Sequence, residues 1–439
     1  MITETSYGSP AERRGWVMYD WAWSAFSTTV ASALLGPYLL DLAERSGGVV
    51  VAGIRIEPGS FFPFAVSLSA LIQILVLPLV GAVADHSDHK KRLLMALAYT
   101  GSALVAGMFL ITTTTLLLGG LLFVLAALAF AAASVIYNSL LPEIAPPAER
   151  DRISAQGYAV GYLGGGLWLL VNVALITLMD DTGLAVRISL GATGLWCAVW
   201  FALFPGRLLR ARPASRARPP GESWLRTGFR GVFGTLAEMR SRYPEALRYL
   251  IAYLVFTDGI QTVLAVATVF AADELDAEPG TLLLLVLMIQ FVAVPGALGF
   301  GQLAQRIGAK RGLLINLSVW TGLVVYAFVD LDSIPKLWVM GAMLALVLGG
   351  AQALSRSLYA QMIPPRQEAE YFGFYEIATG GTSWLGPLVF GLVNQLVGSQ
   401  RIALLSLVAF FGIGLALLVP VRVRRAMLDA GQDPTHVVI

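Results

Sequence analysis

The chain has 439 residues, of which 57% are apolar and 13% charged, with a mean hydropathy of +0.72. A soluble domain carries about 25% charged residues, so this composition excludes a water-soluble globular protein. The net charge of +2 says little by itself, and no nucleic-acid partner is expected.

A hydrocarbon core of about 30 Å takes roughly 20 apolar residues per helix. Twelve stretches qualify: 16–43, 61–84, 92–112, 115–141, 156–179, 186–205, 247–271, 280–304, 311–330, 335–361, 370–397 and 401–421. They are predicted as helices, called spans 1 to 12, because backbone in lipid must satisfy its own hydrogen bonds. Span 1 is long, carries Asp20 and lacks a small-residue cleavage site, so it is expected to remain in the membrane.

Span 1 places Asp20, Ser24, Ser27 and Thr28 at i, i+4, i+7 and i+8, a polar stripe on an apolar helix. Trp16, Tyr19, Trp21 and Trp23 cluster near one interface, and Trp16 reads as an interfacial anchor. Gly81-Ala-Val-Ala-Asp85-His-Ser-Asp-His-Lys90-Lys91-Arg92 follows span 2. Asp85 with Lys90, Lys91 and Arg92 reads as a gate latch, a carboxylate held at a neighbouring helix N-terminus by its dipole and N–H groups. The alternative is a topology signal alone. Span 4 brings Asn138. Span 5 carries Gly157, Gly161, Tyr162, Gly165 and Gly166, a series suited to close helix packing. Tyr158, Tyr162 and Tyr375 could line a cavity or pack between helices.

Residues 206–246 join two halves. The Arg- and Pro-rich part from Arg207 to Gly221 reads as an extended, membrane-hugging linker. Trp224 to Tyr243 could form an amphipathic surface helix with Trp224, Phe229 and Leu236 toward lipid, or remain a flexible basic linker. Span 7 carries Asp258, Gln261 and Thr262. Gly301-Gln-Leu-Ala-Gln305-Arg306-Ile-Gly308-Ala-Lys310-Arg311 follows span 8, with Gln305 where the first half has Asp85, so any latch there should be weaker. In span 10, Gln352, Arg356 and Tyr359 share a face, and Arg356 lies about 10 Å from the span's end at Pro364, taking about 1.5 Å per residue. In span 11, Glu376, Thr379 and Ser383 share another.

Charges inside spans are costly and default to functional hypotheses. The stripes should converge on a central cavity between the halves. Burial disfavours a charged carboxylate, so Asp20, Asp258 and Glu376 are candidates for proton coupling. Alternatively, one or more pairs permanently with Arg356. The Arg356 guanidinium could hold a carboxylate or phosphate through two parallel hydrogen bonds, pair internally with Glu376 or Asp258, or snorkel to the interface. Candidate substrate contacts are Arg356, Gln352, Tyr359, Asn138, Ser24, Gln261 and Tyr162. Candidate gate residues are Gly81, Asp85, Lys90, Lys91, Arg92, Arg306 and Arg311. The single Cys197 excludes an internal disulfide, and His86, His89 and His436 lack metal-ligand spacing. No nucleophile–base pair or phosphate loop stands out, so no cofactor and no enzymatic activity are expected.

The halves repeat. Besides the two loops above, Ile144-Ala-Pro146-Pro147 recurs as Met362-Ile-Pro364-Pro365, and Gly157, Gly164, Gly165 and Trp168 recur as Gly373, Gly380, Gly381 and Trp384. Asp20 matches Asp258, the longer loop 45–60 accounting for the offset. Same-orientation halves are parallel repeats about the membrane normal. The expected units are a six-helix bundle over 1–205, the linker 206–246, a second bundle over 247–425 and a tail over 426–439. Orientation follows the basic loops: Arg13, Arg14, Lys90, Lys91, Arg92, Arg150, Arg152, the 207–248 stretch, Arg306, Lys310, Arg311, Arg366, Arg422, Arg424 and Arg425 on one side, against Arg45, Arg55, Arg187, Lys336 and Arg401 on the other. Both termini are therefore expected in the cytoplasm.

The Gly81–Arg92 segment resembles the signature loop of the major facilitator superfamily. Tyr19-Asp20-Trp21-Ala22-Trp23-Ser24-Ala25-Phe26, Tyr137-Asn138-Ser139-Leu140-Leu141-Pro142-Glu143, the Gly157–Gly165 series and Gly349-Gly350-Ala351-Gln352-Ala353-Leu354-Ser355-Arg356-Ser357 resemble, more narrowly, the "unknown major facilitator" family that includes the autophagy-related vacuolar effluxers. Trp23 departs from that pattern, where Asn is expected. The resemblance implies a twelve-helix, two-bundle fold with spans 1, 4, 7 and 10 around a cavity, and transport of small molecules, amino acids in the vacuolar case. Across a bacterial membrane the vacuolar reaction would be uptake. The glycine series resembles that of facilitator antiporters, with Tyr162 replacing its proline, and leans toward export.

The expected protein is thus an all-α, alternating-access transporter of a small polar organic solute, an amino acid among the candidates. It is coupled to protons, monomeric, and set in the plasma membrane. The alternatives are a proton-driven exporter of amphiphiles and a non-transporting sensor or scaffold.

Overall fold

The computed structural model describes residues 7–51, 53–216, 224–381, 385–435 and 437–439. Among them, 11 helices are long and apolar enough to cross a membrane: Pro10–Arg45, Pro58–Asp85, Lys90–Leu110, Thr113–Ile144, Pro147–Leu178, Thr182–Leu208, Pro244–Ala272, Gly280–Ile307, Ala309–Asp330, Ile334–Met362 and Gln400–Leu418. These are spans 1 to 10 and span 12. Span 11 comes in pieces: an α-helix over Glu368–Glu376, a π turn over Ile377–Gly381, and a second α-helix over Leu385–Val397. Ser383 and Trp384, expected on this span, lie outside the described residues, as does His436.

Local chemistry sets the helix starts. The Ser9 side chain accepts from Glu12 N at 3.3 Å and Pro10 fills the first helical position of span 1. Asp181 caps span 6 through Leu184 N at 2.9 Å. Pro58, Pro244 and Pro279 each open a span. Span 1 widens into a π helix over Phe26–Leu34. The loop between spans 1 and 2 holds a hairpin: Val49–Val51 pairs antiparallel with Ile54–Ile56, Val50 opposite Arg55. β-branched residues on both sides of a turn with Gly53 at φ +83° favour it.

The spans form the two bundles of the major facilitator fold. In the first, span 1 packs on span 5, span 3 on spans 4 and 6, and span 2 on span 4; in the second, span 8 packs on span 10, span 7 on span 12 and span 9 on span 10. Between bundles, span 2 meets span 11 and span 5 meets spans 8 and 10. The repeat explains these seams. A Cβ at Gly81 would strike the Ala369 carbonyl and lie 3.1 Å from Glu370 Cα, and one at Gly301 would strike Ala155 Cβ. Matching glycines therefore let spans 2 and 8 press against spans 11 and 5.

Both chain ends meet one face of the molecule, the terminal side. A Cβ at Gly8 would sit 3.0 Å from Ile144 Cβ, and Gln432 reaches Arg150. The linker runs over the same face. Residues 209–216 lie against the first bundle, with Arg210 N donating to Glu12 at 3.2 Å, Ala214 N to Asp88 at 2.9 Å and Arg216 N to the Asp85 carbonyl at 2.9 Å. Over residues 209–216 the expected membrane-hugging segment is instead drawn onto protein by these acceptors, and residues 217–221 of it lie outside the described residues. The linker helix Trp224–Ser241 rests on span 2, with Gly228 facing Leu79 and Gly231 facing Ala82. Its opposite face exposes Phe233 (71%) and Leu236. The side chains of Trp224 and Phe229 lie outside those described.

Candidate functional site

Arg356 of span 10 is 1% exposed and its three nitrogens are all engaged. Nε donates to Ser154 Oγ at 3.0 Å, and Nη2 to the Ser154 carbonyl at 2.9 Å and to Asp20 Oδ2 at 3.2 Å. Nη1 donates to Asp20 Oδ2 at 3.2 Å and Asn138 Oδ1 at 3.3 Å, with Tyr137 Oη at 3.4 Å. Its faces are covered by Trp16, 4.6 Å away, and Tyr158, 4.2 Å away. Asp20 also accepts from Tyr137 Oη at 2.8 Å. Arg356 therefore pairs with Asp20, one of the three carboxylates considered for it, and not with Glu376 or Asp258. The pair crosses the seam between the bundles.

Span 5 makes room for it. A Cβ at Gly157 would lie 2.5 Å from Asp20 Oδ2 and 2.8 Å from Arg356 Nη2. Further along, Gly161 and Gly165 receive Ser24 and Thr28, each hydroxyl 2.7 Å from the Cβ position. The span 1 stripe thus faces the glycines of span 5, not an open cavity. The reason is local: small residues let span 5 approach until polar side chains fill the gap. Thr28 in turn accepts from Gln290 Nε2 of span 8 at 2.5 Å.

The other candidates separate. Asn138 Nδ2 donates to Glu376 Oε1 at 2.5 Å across the seam, and Tyr162 Oη donates to Gln352 Oε1 at 2.5 Å. Glu376, Tyr162, Gln352 and Gln261 are half-buried. Tyr359, expected on the substrate face, is buried instead. Its hydroxyl donates to the Tyr371 carbonyl at 3.0 Å and its ring stacks 5.3 Å from Tyr375. Tyr375 stacks 4.2 Å from Tyr253, whose hydroxyl lies 3.0 Å from Thr379 Oγ1. Aromatic neighbours in spans 7 and 11 claim Tyr359, which a face shared with Arg356 could not reveal. Asp258 is 1% exposed, and among the described residues no side chain donates to its carboxylate. The Gly386 backbone amide faces it.

The expected latch has the geometry read from its loop. Asp85 accepts from Ala369 N at 3.2 Å and Glu370 N at 2.9 Å, the first turn of span 11. Lys90 Nζ donates to Asp85 at 3.3 Å and Glu143 at 2.7 Å, and Lys91 Nζ to the Leu209 carbonyl at 2.6 Å. Arg92, Arg306 and Arg311 are not drawn in, because each lies on an exposed face, as does Gln305. Sequence reasoning missed Glu370. It is buried and accepts from Thr235 Oγ1 of the linker helix at 2.7 Å and from Arg216 at 3.3 Å. It also missed Ser154, Asp151 and Gln432. Gln361 Nε2 donates to Asp151 at 3.2 Å; Arg150 donates to the Ala360 carbonyl at 2.8 Å and to Gln432 at 2.5 Å. Polar residues next to the repeated prolines were the available signal.

Among the described residues, hydrogen bonds between the bundles lie on the terminal side or near mid-span, and Thr28–Gln290 is the farthest from that side. Among the described residues, the polar fastening of the seam is on the terminal side and at mid-span.

Over residues 8–431 the sequence matches the family described as "Vacuole effluxer Atg22 like". The "uncharacterized MFS-type transporter YxiO" of Bacillus subtilis (strain 168) is 28% identical over 409 residues, 93% of this chain and 94% of that protein. Autophagy-related protein 22-1 of Penicillium rubens is 23% identical, covering 97% of this chain and 92% of its own. Among solved structures, the human organic anion transporter MFSD10 (TETRAN) superposes with a TM-score of 0.69 at 14% identity, over 93% of this chain and 100% of that one. FucP in its outward conformation gives 0.64 at 12%, over 93% and 97%. At such identities these structures show the fold alone.

Proposed function

The chain belongs to the family of Atg22-like vacuole effluxers and is an MFS-type, multi-pass membrane transporter; we propose that it moves a small polar organic solute, an amino acid the leading candidate, by proton-coupled alternating access. The observation that carries this reading is the polar fastening of the seam on its terminal side. Asp85 on the span 11 N-terminus, Arg150 on Ala360 and Arg356 on Asp20 hold the terminal side shut. By the distribution of Lys and Arg that side is cytoplasmic, in the plasma membrane, so this arrangement corresponds to an outward-facing state. Inward opening has to break all three contacts. The Gly81–Ala369 approach and the Asp85 cap make span 2 and span 11 the gate.

Asp258 is the candidate proton carrier. Its carboxylate is buried without a cationic side-chain partner among the described residues, and an unpaired charge in a dry site is strongly disfavoured. Proton binding lets it remain there, and proton release accompanies exposure. The monomer contains the whole pathway in this reading. Purified protein in liposomes should accumulate radiolabelled leucine when a pH gradient is imposed. Asp258→Asn should abolish gradient-driven accumulation while keeping leucine exchange at equal concentrations. Accumulation by Asp258→Asn at the wild-type level would remove proton coupling from this residue.

A further inference from the structure

We infer that Glu376 is the charged contact for the transported solute and that the solute presents a positively charged nitrogen to it. The inference rests on the transporter reading above and names the substrate class of that central site.

The first argument is what Arg356 cannot do in this state. It is the basic residue of the mid-span region, yet Asp20, Asn138, Ser154 and Tyr137 take its donors, and Trp16 and Tyr158 cover its faces. A solute carboxylate would have to displace Asp20 from a buried pair, leaving that carboxylate uncompensated. Anion recognition at Arg356 is therefore closed in this arrangement.

The second argument is what Glu376 offers. It lies on the seam, half-buried, and its one hydrogen bond to a named side chain uses Oε1, from Asn138 Nδ2 at 2.5 Å. The amide orients the carboxylate without neutralising it. One turn on, Thr379 Oγ1 lies 3.0 Å from the Tyr253 hydroxyl, so the Glu376 face of span 11 looks toward span 7 and its tyrosines. The Glu376 charge is close enough to interact with Tyr158 and Tyr253, and a carboxylate near aromatic rings is chemistry that receives an ammonium group, by a charge-assisted hydrogen bond and by cation–π attraction.

The third argument is independent of charge. Span 11 leaves α-helical geometry directly after Glu376, over Ile377–Gly381. Single π turns inside helices mark functional sites because they spread the local backbone and re-aim side chains. The nearby carboxylates act in the same direction: Asp20 and Glu376 both interact with the Arg356 guanidinium, and Asp20 is the one that pairs with it. A solute nitrogen cation would redress that imbalance, whereas an anion would increase it.

The test uses three probes with one carbon skeleton: leucine, isopentylamine, which lacks the carboxylate, and 4-methylpentanoate, which lacks the amine. Each is titrated against the purified full chain, with thermal stabilisation as the readout. Leucine and isopentylamine should stabilise the protein and 4-methylpentanoate should not. Glu376→Gln, which can still accept from Asn138, should lose about tenfold to a hundredfold in affinity for both amines. Stabilisation by 4-methylpentanoate but not isopentylamine would overturn the inference, as would unchanged amine affinity in Glu376→Gln or no binding of any probe. The wild-type ladder decides the solute class even if the variant does not fold. Proton coupling is decided separately, by the accumulation assay on Asp258→Asn, so one reading can fail without the other.

Discussion

Asp20 and Arg356 form a buried ion pair with every guanidinium nitrogen satisfied, 3.2 Å apart across the seam. Removing one member of such a pair costs about 3–5 kcal/mol, because the partner is left charged in a dry site. Asp20→Asn and Arg356→Gln should therefore each destabilise this terminal-side-closed state strongly. The double variant should lose much less than the sum, a coupling read from thermal unfolding in a double-mutant cycle. Additive losses would mean that the pair contributes no mutual stabilisation. Gly157→Ala should act like a mild version of either single change, since its Cβ would lie 2.5 Å from Asp20 Oδ2. Both members were legible as intramembrane charges, and Asp20 was one of three possible partners, but which of the three meets Arg356 was not legible. Arg356 lies near the end of its span and Asp20 near the start of its own, so the two share a depth. Which residue at that depth an arginine meets depends on how the bundles close, and periodicity along one helix carries no such information. Glu376 and Asp258 were nearer in sequence or repeat logic, and span 5 glycines brought Asp20 closer in space.

At the level of elements, the first-half loop meets the second bundle: Gly81 lies on the span 11 backbone, Asp85 accepts from the Ala369 and Glu370 amides, and Lys90 bridges Asp85 and Glu143, while Arg92 stays exposed. Asp85→Asn removes a charge-assisted contact of about 1.5–3 kcal/mol, so the terminal-side-closed population should fall by roughly tenfold or more relative to the open one. A cysteine at Ala360, buried beside Arg150 in the closed seam, should then label faster. Gln305→Asp should leave that rate unchanged, because position 305 is exposed. Equal labelling in wild type and Asp85→Asn would remove the latch. Other elements were not legible, for identifiable reasons. The π turns in spans 1 and 11 leave no mark in an apolar pattern. The 49–56 hairpin is too short for its alternation to stand out from loop. The linker's hold on Glu370, through Arg216 and Thr235, joins residues far apart in the chain that share no motif.

For the whole molecule, symmetry and its breaking matter together. Spans 2 and 8 meet spans 11 and 5 through matched glycines, so two related seams close the same face, but only the first carries the acidic cap. The basic residues of the loops, the linker over Glu12, Asp88 and Asp85, and Gln432 on Arg150 all gather on that face. Lys and Arg are retained on the cytoplasmic side during insertion, so the proposed topology turns the fastened end toward the cytoplasm and has the solute enter from outside in this state. Two exposed positions on opposite faces test it, in a background where buried Cys197 is replaced. Val50, 60% exposed on the hairpin, changed to cysteine should react with a membrane-impermeant maleimide added to intact cells. Ala211, exposed in the linker, changed to cysteine should react only after the cells are permeabilised. Labelling of Ala211→Cys from outside, with Val50→Cys protected, would invert the topology. The latch would then become an external gate and the closed state described here an inward-facing one.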